Sequence, residues 1–154
     1  MPILDWTRTS LDYKVEDGSK ALRFDRTAFA AFELYILKRT DALDTYDEGM
    51  QQKAKRYFET LGDTEIKSLT NTIIAGLPGA EEGYTVEQFK TALSTYDTIN
   101  SDKLRDNLVS FLNEIIPIAE NNNAFMCIHP DDPPYPILGL PRIVSTQEDL
   151  EFIF

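Results

Sequence analysis

Cysteine, histidine and tryptophan each occur once in this 154-residue chain. A lone cysteine excludes an internal disulfide and fits a reducing compartment. A lone histidine excludes a tight transition-metal site built from several imidazoles, since such sites want three or four ligands. Positive charge is scarce too: 15 Lys and Arg stand against 26 Asp and Glu, for a net charge of −11 and a pI near 4.5. That balance argues against a nucleic-acid partner or an anionic membrane surface. No apolar run approaches the roughly 20 residues of a membrane span. The N-terminus has no basic stretch leading into an apolar core, so no secretory signal is visible. The expected location is cytoplasmic. Internal repeats and low-complexity tracts are lacking as well.

What is present is 42% apolar and 27% charged, enough for one domain with a sizeable core. The chain opens apolar with Met1-Pro2-Ile3-Leu4-Asp5-Trp6 and stops on Phe152-Ile153-Phe154. Native termini are usually polar and loose, so both ends read as cuts through a larger protein.

Alternation of Leu11, Tyr13 and Val15, then Asp17-Gly18, then a returning Ala21-Leu22-Arg23-Phe24, predicts a hairpin over 11–24. Phe29, Phe32 and Ile36 predict a helix over 26–39. Thr45-x-x-Glu48 reads as a capping box for a second helix that Gly62 ends. A third helix starts at Asp63 or Thr64 and stops at Gly76 and Pro78. Gly76, Gly79 and Gly83 punctuate the next loop, which lacks the lysine of a phosphate-binding loop and carries Glu81 and Glu82. It reads as a connector. Thr85-x-x-Gln88 caps a fourth helix. A fifth, longer helix starts at Ser101 and should be kinked or shortened by Pro117. Ala124-Phe125-Met126-Cys127-Ile128 then reads as a buried strand, and Thr146-x-x-Asp149 as the cap of a last short helix. Long helix, short loop, buried strand, loop and helix make the αβα cadence of a parallel α/β fold.

The stretch after that strand, His129-Pro130-Asp131-Asp132-Pro133-Pro134-Tyr135-Pro136, is the best site candidate. Its prolines stiffen it, and it lies where α/β folds collect their chemistry. His129 could ligate a metal, with Asp131 or Asp132 beside it, or could be a loop histidine with an ordinary hydrogen bond. Cys127, two residues before His129, could pair with it as a nucleophile or pack as a small hydrophobe. Arg8, in Trp6-Thr7-Arg8-Thr9, could bind a carboxylate bidentately or form a surface ion pair. Arg142 carries a weaker signal of the same kind.

Several segments together resemble the mannonate dehydratase family: residues 1–9, 17–25, Ile73-Ile74-Ala75-Gly76-Leu77-Pro78-Gly79 onward to Thr85, and His129-Pro130-Asp131-Asp132-Pro133-Pro134 through Pro136-Ile137-Leu138-Gly139-Leu140-Pro141-Arg142 to Thr146. The resemblance runs end to end in this chain but covers only a middle portion of the family's. It implies a (β/α)8 TIM barrel, a fold of roughly 250 residues or more. The expected fold class is therefore α/β: a partial TIM barrel, helix-rich, with a β-hairpin insertion near the N-terminus. Residues 1–154 would be a single incomplete fragment, with the hairpin at 11–24, a helical segment over 26–100 and a helix-strand-loop-helix over 101–154. The implied activity is a hydro-lyase that dehydrates D-mannonate to 2-keto-3-deoxy-D-gluconate in hexuronate catabolism, with Mn2+ or Fe2+. His129 is the implied metal ligand in this chain. The remaining ligands, a cysteine, a histidine and an aspartate, belong beyond Phe154, and Cys127 does not match the ligand cysteine. Asp131 is the expected catalytic carboxylate, and Trp6 and Arg8 the expected substrate-binding residues.

Two function classes follow: a piece of a metal-dependent lyase, inactive alone, or a non-catalytic remnant or assembly module that needs complementing chains. An isolated fragment would leave strand edges and apolar helix faces without neighbours. The chain is therefore expected to self-associate or aggregate despite its charge, and a monodisperse monomer in light scattering would contradict this.

Overall fold

The computed structural model describes residues 7–75 and 84–154. It divides into two compact units, one ending at Thr95 and the other Tyr96–Phe154. The glycine-containing connector expected at 76–83 and the Trp6 side chain lie outside the described residues. The described residues are helix-rich, and their one sheet has two strands. None of their helices is long and apolar enough to cross a membrane.

In the first unit the expected hairpin forms from β1 (Ser10–Lys14) and β2 (Lys20–Arg23), antiparallel and irregular between Ser10 and Tyr13. Gly18 takes φ 85° at the turn, a conformation that suits glycine, and the Asp17 carboxylate accepts from Ser19 N at 2.9 Å. The hairpin is tied to the first helix, α1 (Arg26–Ala31), through Asp25. Its Oδ1 caps the helix by accepting from Thr27 N and Ala28 N at 2.9 and 3.0 Å. Its Oδ2 pairs with Arg23 Nη2 at 2.7 Å, and its own N–H donates to Thr9 Oγ1 at 2.8 Å.

The helix expected over 26–39 changes pitch on the way. After Ala31 it continues as a π-helical segment, Phe32–Leu37, and Lys38 stops it in the left-handed conformation at φ 52°. Glu33 lies in this segment and is fully buried. Arg39 Nε donates to its Oε1 at 2.8 Å, and the Tyr46 hydroxyl donates to its Oε2. Burial, and then the Glu33 carboxylate, push the Tyr46 phenol above its usual range, so it stays protonated as a donor. Arg39 Nη2 also donates to Thr45 Oγ1 at 2.7 Å. Thr45 thus closes a short helix, α2 (Ala42–Thr45), and does not cap the next one. That role falls to Asp47, whose carboxylate accepts from Met50 N at the start of α3 (Glu48–Glu59). A carboxylate both accepts at the helix start and favours its positive end, so it outcompetes the hydroxyl two residues earlier.

Small residues let α1 and α3 approach: Ala30, Ala31 and Ala54 are fully buried together, with Tyr35 stacked on Phe58 at 5.2 Å between ring centroids. Phe24, Phe29, Phe32 and Phe89 form a run of tilted rings 5.1 to 6.3 Å apart. It reaches α5 (Val86–Ser94), which Thr85 and Gln88 cap as a full capping box. Between them α4 (Asp63–Ala75) buries Leu69, Ile73 and Ile74, and Glu65 folds back to accept from Gly62 N at 2.7 Å.

The second unit is α6 (Ser101–Asn121), an irregular stretch, and α7 (Gln147–Ile153). Helix α6 continues past Pro117 to Asn121. It ends in a Schellman motif with Asn123 at φ 54°, where Ala124 N donates to Ala119 O and Asn123 N to Glu120 O. The buried strand expected at 124–128 is not there. These residues pair with no strand among the described residues, and Phe125 is 89% exposed. The physical reason is pairing: an apolar run becomes a strand only when a neighbouring strand meets its amides and carbonyls. Cys127 is accordingly exposed, not packed as a small hydrophobe.

Breaking a buried ion pair from one side leaves an uncompensated charge. Glu33→Gln should therefore destabilise the first unit by about 3 kcal/mol, read from urea denaturation followed by far-UV circular dichroism. An unchanged midpoint would show that Arg39 and Tyr46 find other partners.

Candidate functional site

The proline loop folds back on itself. Ile137 and Leu140 bridge across a tight turn in which Leu138 and Gly139 both have positive φ, 56° and 75°, and Leu140 N donates to Ile137 O at 2.9 Å. Ile137, Leu138, Ile143 and Val144 of the loop are buried. The outgoing limb of the loop then runs beside its incoming start.

Asp131 joins the two. Its N–H donates to Val144 O at 2.9 Å. Its Oδ2 accepts from Val144 N at 2.7 Å, Ser145 Oγ at 3.0 Å and Ile143 N at 3.1 Å. Its Oδ1 lies 3.6 Å from Arg142 Nη1, with both side chains almost buried. Asp149 repeats the device one step on. It is buried, caps α7 jointly with Thr146, and accepts on Oδ2 from Ser145 N and Thr146 N at 3.0 and 3.1 Å. Its Oδ1 takes Arg105 Nη2 of α6 at 2.8 Å. Burial pushes the Asp149 carboxyl up, but Arg105 and the two backbone amides outweigh it and hold the group below its ordinary value.

His129 stands at the mouth of this loop, exposed. Its Nδ1 lies 2.6 Å from Pro130 O. A carbonyl oxygen only accepts, so this hydrogen bond requires the proton on Nδ1, and in the neutral ring the lone pair is then on Nε2. That bond turns the Nδ1 edge of the ring toward Pro130. No group of three His, Cys, Asp or Glu among the described residues comes together as a metal centre. His129 offers one imidazole at the loop, and the Asp131 carboxylate is committed to Ile143, Val144, Ser145 and Arg142. This does not by itself fit a transition metal. Arg8, half-buried in the first unit, donates from Nη1 to Thr7 O at 2.9 Å. A shallow groove lined by Asp102, Arg105, Asp106, Glu148 and Phe152 includes no residue of the proline loop.

Spacing along the chain could not reveal Arg105 and Ser145 as parts of the loop's support. The Thr146-x-x-Asp149 pattern gave the cap but not the second use of Asp149.

The family model for D-mannonate dehydratase (UxuA) matches residues 1–154. A mannonate dehydratase of Marinomonas sp. (strain MWYL1) is 56% identical over 153 residues, which cover 99% of this chain and 39% of that protein. One from Chromohalobacter salexigens is 49% identical over 153 residues, with 99% and 39% covered. Among solved structures, the mannonate dehydratase of Streptococcus suis serotype 2 is similar with a TM-score of 0.53 and 28% identity, over 99% of this chain and 30% of that one. The chain thus spans about two-fifths of the length of the curated relatives it matches.

A carboxyl held below its ordinary value stabilises the fold above the unfolded-state pKa, about 3.9 for aspartate, and loses that contribution as pH falls through the folded value. Amide protection at Ser145 and Thr146 should be full above about pH 5 and decline below about pH 4, and hydrogen exchange across that range checks it. Asp149→Asn should remove this acid dependence.

Proposed function

The chain belongs to the D-mannonate dehydratase family, and from that premise we propose that it forms part of a hydro-lyase acting on D-mannonate. The product would be 2-keto-3-deoxy-D-gluconate, formed in the cytoplasm during hexuronate breakdown. The observation that carries this reading is the family match over residues 1–154, proline loop included. The architecture we propose for the whole protein is a (β/α)8 barrel, of which this chain would supply a part.

Dehydrating a sugar acid removes the proton next to the carboxylate and expels the neighbouring hydroxyl. The charge that develops must be spread onto the carboxylate oxygens. Bound Mn2+ or Fe2+ would act there as a Lewis acid. This chain's share of that site would be His129, presenting Nε2 as one ligand. We assign the other ligands to the part of the family's length that the chain does not span. Arg8 and Trp6 would hold the substrate, the guanidinium gripping the acid's carboxylate. A second reading, a non-catalytic module that needs complementing chains, draws on the single imidazole at the loop.

A chimera decides between them. Residues 1–154 would replace the matching segment of the Marinomonas mannonate dehydratase. The expected result is dehydration of D-mannonate with Mn2+ present, lost by 100-fold or more, about 3 kcal/mol, on His129→Ala. The 154-residue chain alone should show no turnover. A folded chimera without activity would favour the non-catalytic module.

A further inference from the structure

We propose that Asp131 is a positioning residue for His129, and that its carboxylate works by fixing one peptide unit. The inference rests on the reading of His129 as a ligand, but its geometry is independent of metal and substrate.

The Pro130–Asp131 peptide is planar, so its carbonyl and its N–H are fixed relative to one another and point to opposite sides. The N–H of that unit donates to Val144 O. The carbonyl of the same unit is the acceptor for His129 Nδ1. Rotating the peptide would break both bonds at once. What holds Val144 in place is the Asp131 side chain, through three hydrogen bonds on Oδ2 and the Arg142 ion pair on Oδ1. Asp131 thus grips residues 142–145 from its side chain and its backbone together. The result is a peptide locked with its oxygen toward the imidazole, an Nδ1–H tautomer, and an Nε2 lone pair left for a ligand's work. A histidine's second nitrogen is commonly fixed in this way by a carbonyl or carboxylate partner. Here the carboxylate acts one peptide removed.

The chain's single histidine gives an unambiguous probe. Long-range proton–nitrogen NMR spectra of the metal-free 154-residue chain, in alkaline buffer where imidazole is neutral, distinguish the two tautomers directly. The native chain should show Nδ1–H alone. Asp131→Asn should give a mixture of both tautomers and lose amide protection at Ile143 and Val144. Asp149→Asn weakens the same unit through Ser145 and Thr146 but leaves the Asp131 bonds to Val144, and so should keep the single tautomer. A native mixture, a single Nδ1–H tautomer in folded Asp131→Asn, or a mixture in Asp149→Asn would each overturn the proposal. If Asp131→Asn does not fold, Asp131→Glu decides, because it keeps the charge beside Arg142 but moves the carboxylate off the Ile143 and Val144 amides. A mixture there supports the proposal and a single tautomer overturns it. An inactive chimera would leave these spectra unchanged, so the two readings fail separately.

Discussion

A carboxylate taken out of water needs donors to replace its hydration. In the Tyr96–Phe154 unit Asp131 finds them in residues more than ten positions later, and the course of the proline loop follows from that need. Proline has no N–H, so Pro130, Pro133, Pro134, Pro136 and Pro141 leave this stretch short of amide donors. The donors that remain, at Ile143 and Val144, converge on one oxygen. Around that point Ile137, Leu138, Ile143 and Val144 can bury. Leu138 can then be held in a left-handed conformation that leucine rarely adopts unaided.

The same arrangement recurs in the unit ending at Thr95. Asp25 binds the hairpin to α1, and Glu33 binds the π-helical segment to Arg39 and Tyr46. An acidic chain has carboxylates in excess, and most stay in solvent. The few taken inside are those that meet backbone amides or a guanidinium, where the hydrogen bond to a charged acceptor is strongest. The charge imbalance visible in the composition is thus mainly a surface property.

Local patterns are the part of this fold that the sequence makes legible. The Asp17-Gly18 turn, the Thr85 and Thr146 capping boxes and the stripes of α3, α4 and α5 all depend on residues within four positions of one another. Competition between neighbours is harder to read, as where Asp47 displaces Thr45 as a cap. Buried polar residues are harder still, since nothing in the spacing around Glu33 announces a change of helical pitch. The stretch at 124–128 misleads for another reason. Its composition fits a strand, but a strand is a property of two segments, and no described segment pairs with it. At the site, His129 and Asp131 stand out by residue type. The tautomer of the first and the commitments of the second depend on Val144 and Ser145, which no local pattern marks.

Helix α6 is long, yet none of its residues is fully buried, and Phe111 and Ile118 are more than half exposed. Melting it would bring little new apolar surface into contact with water. Both the heat-capacity increment and the denaturant slope scale with newly exposed surface. The contribution of α6 to each would therefore be small for its length.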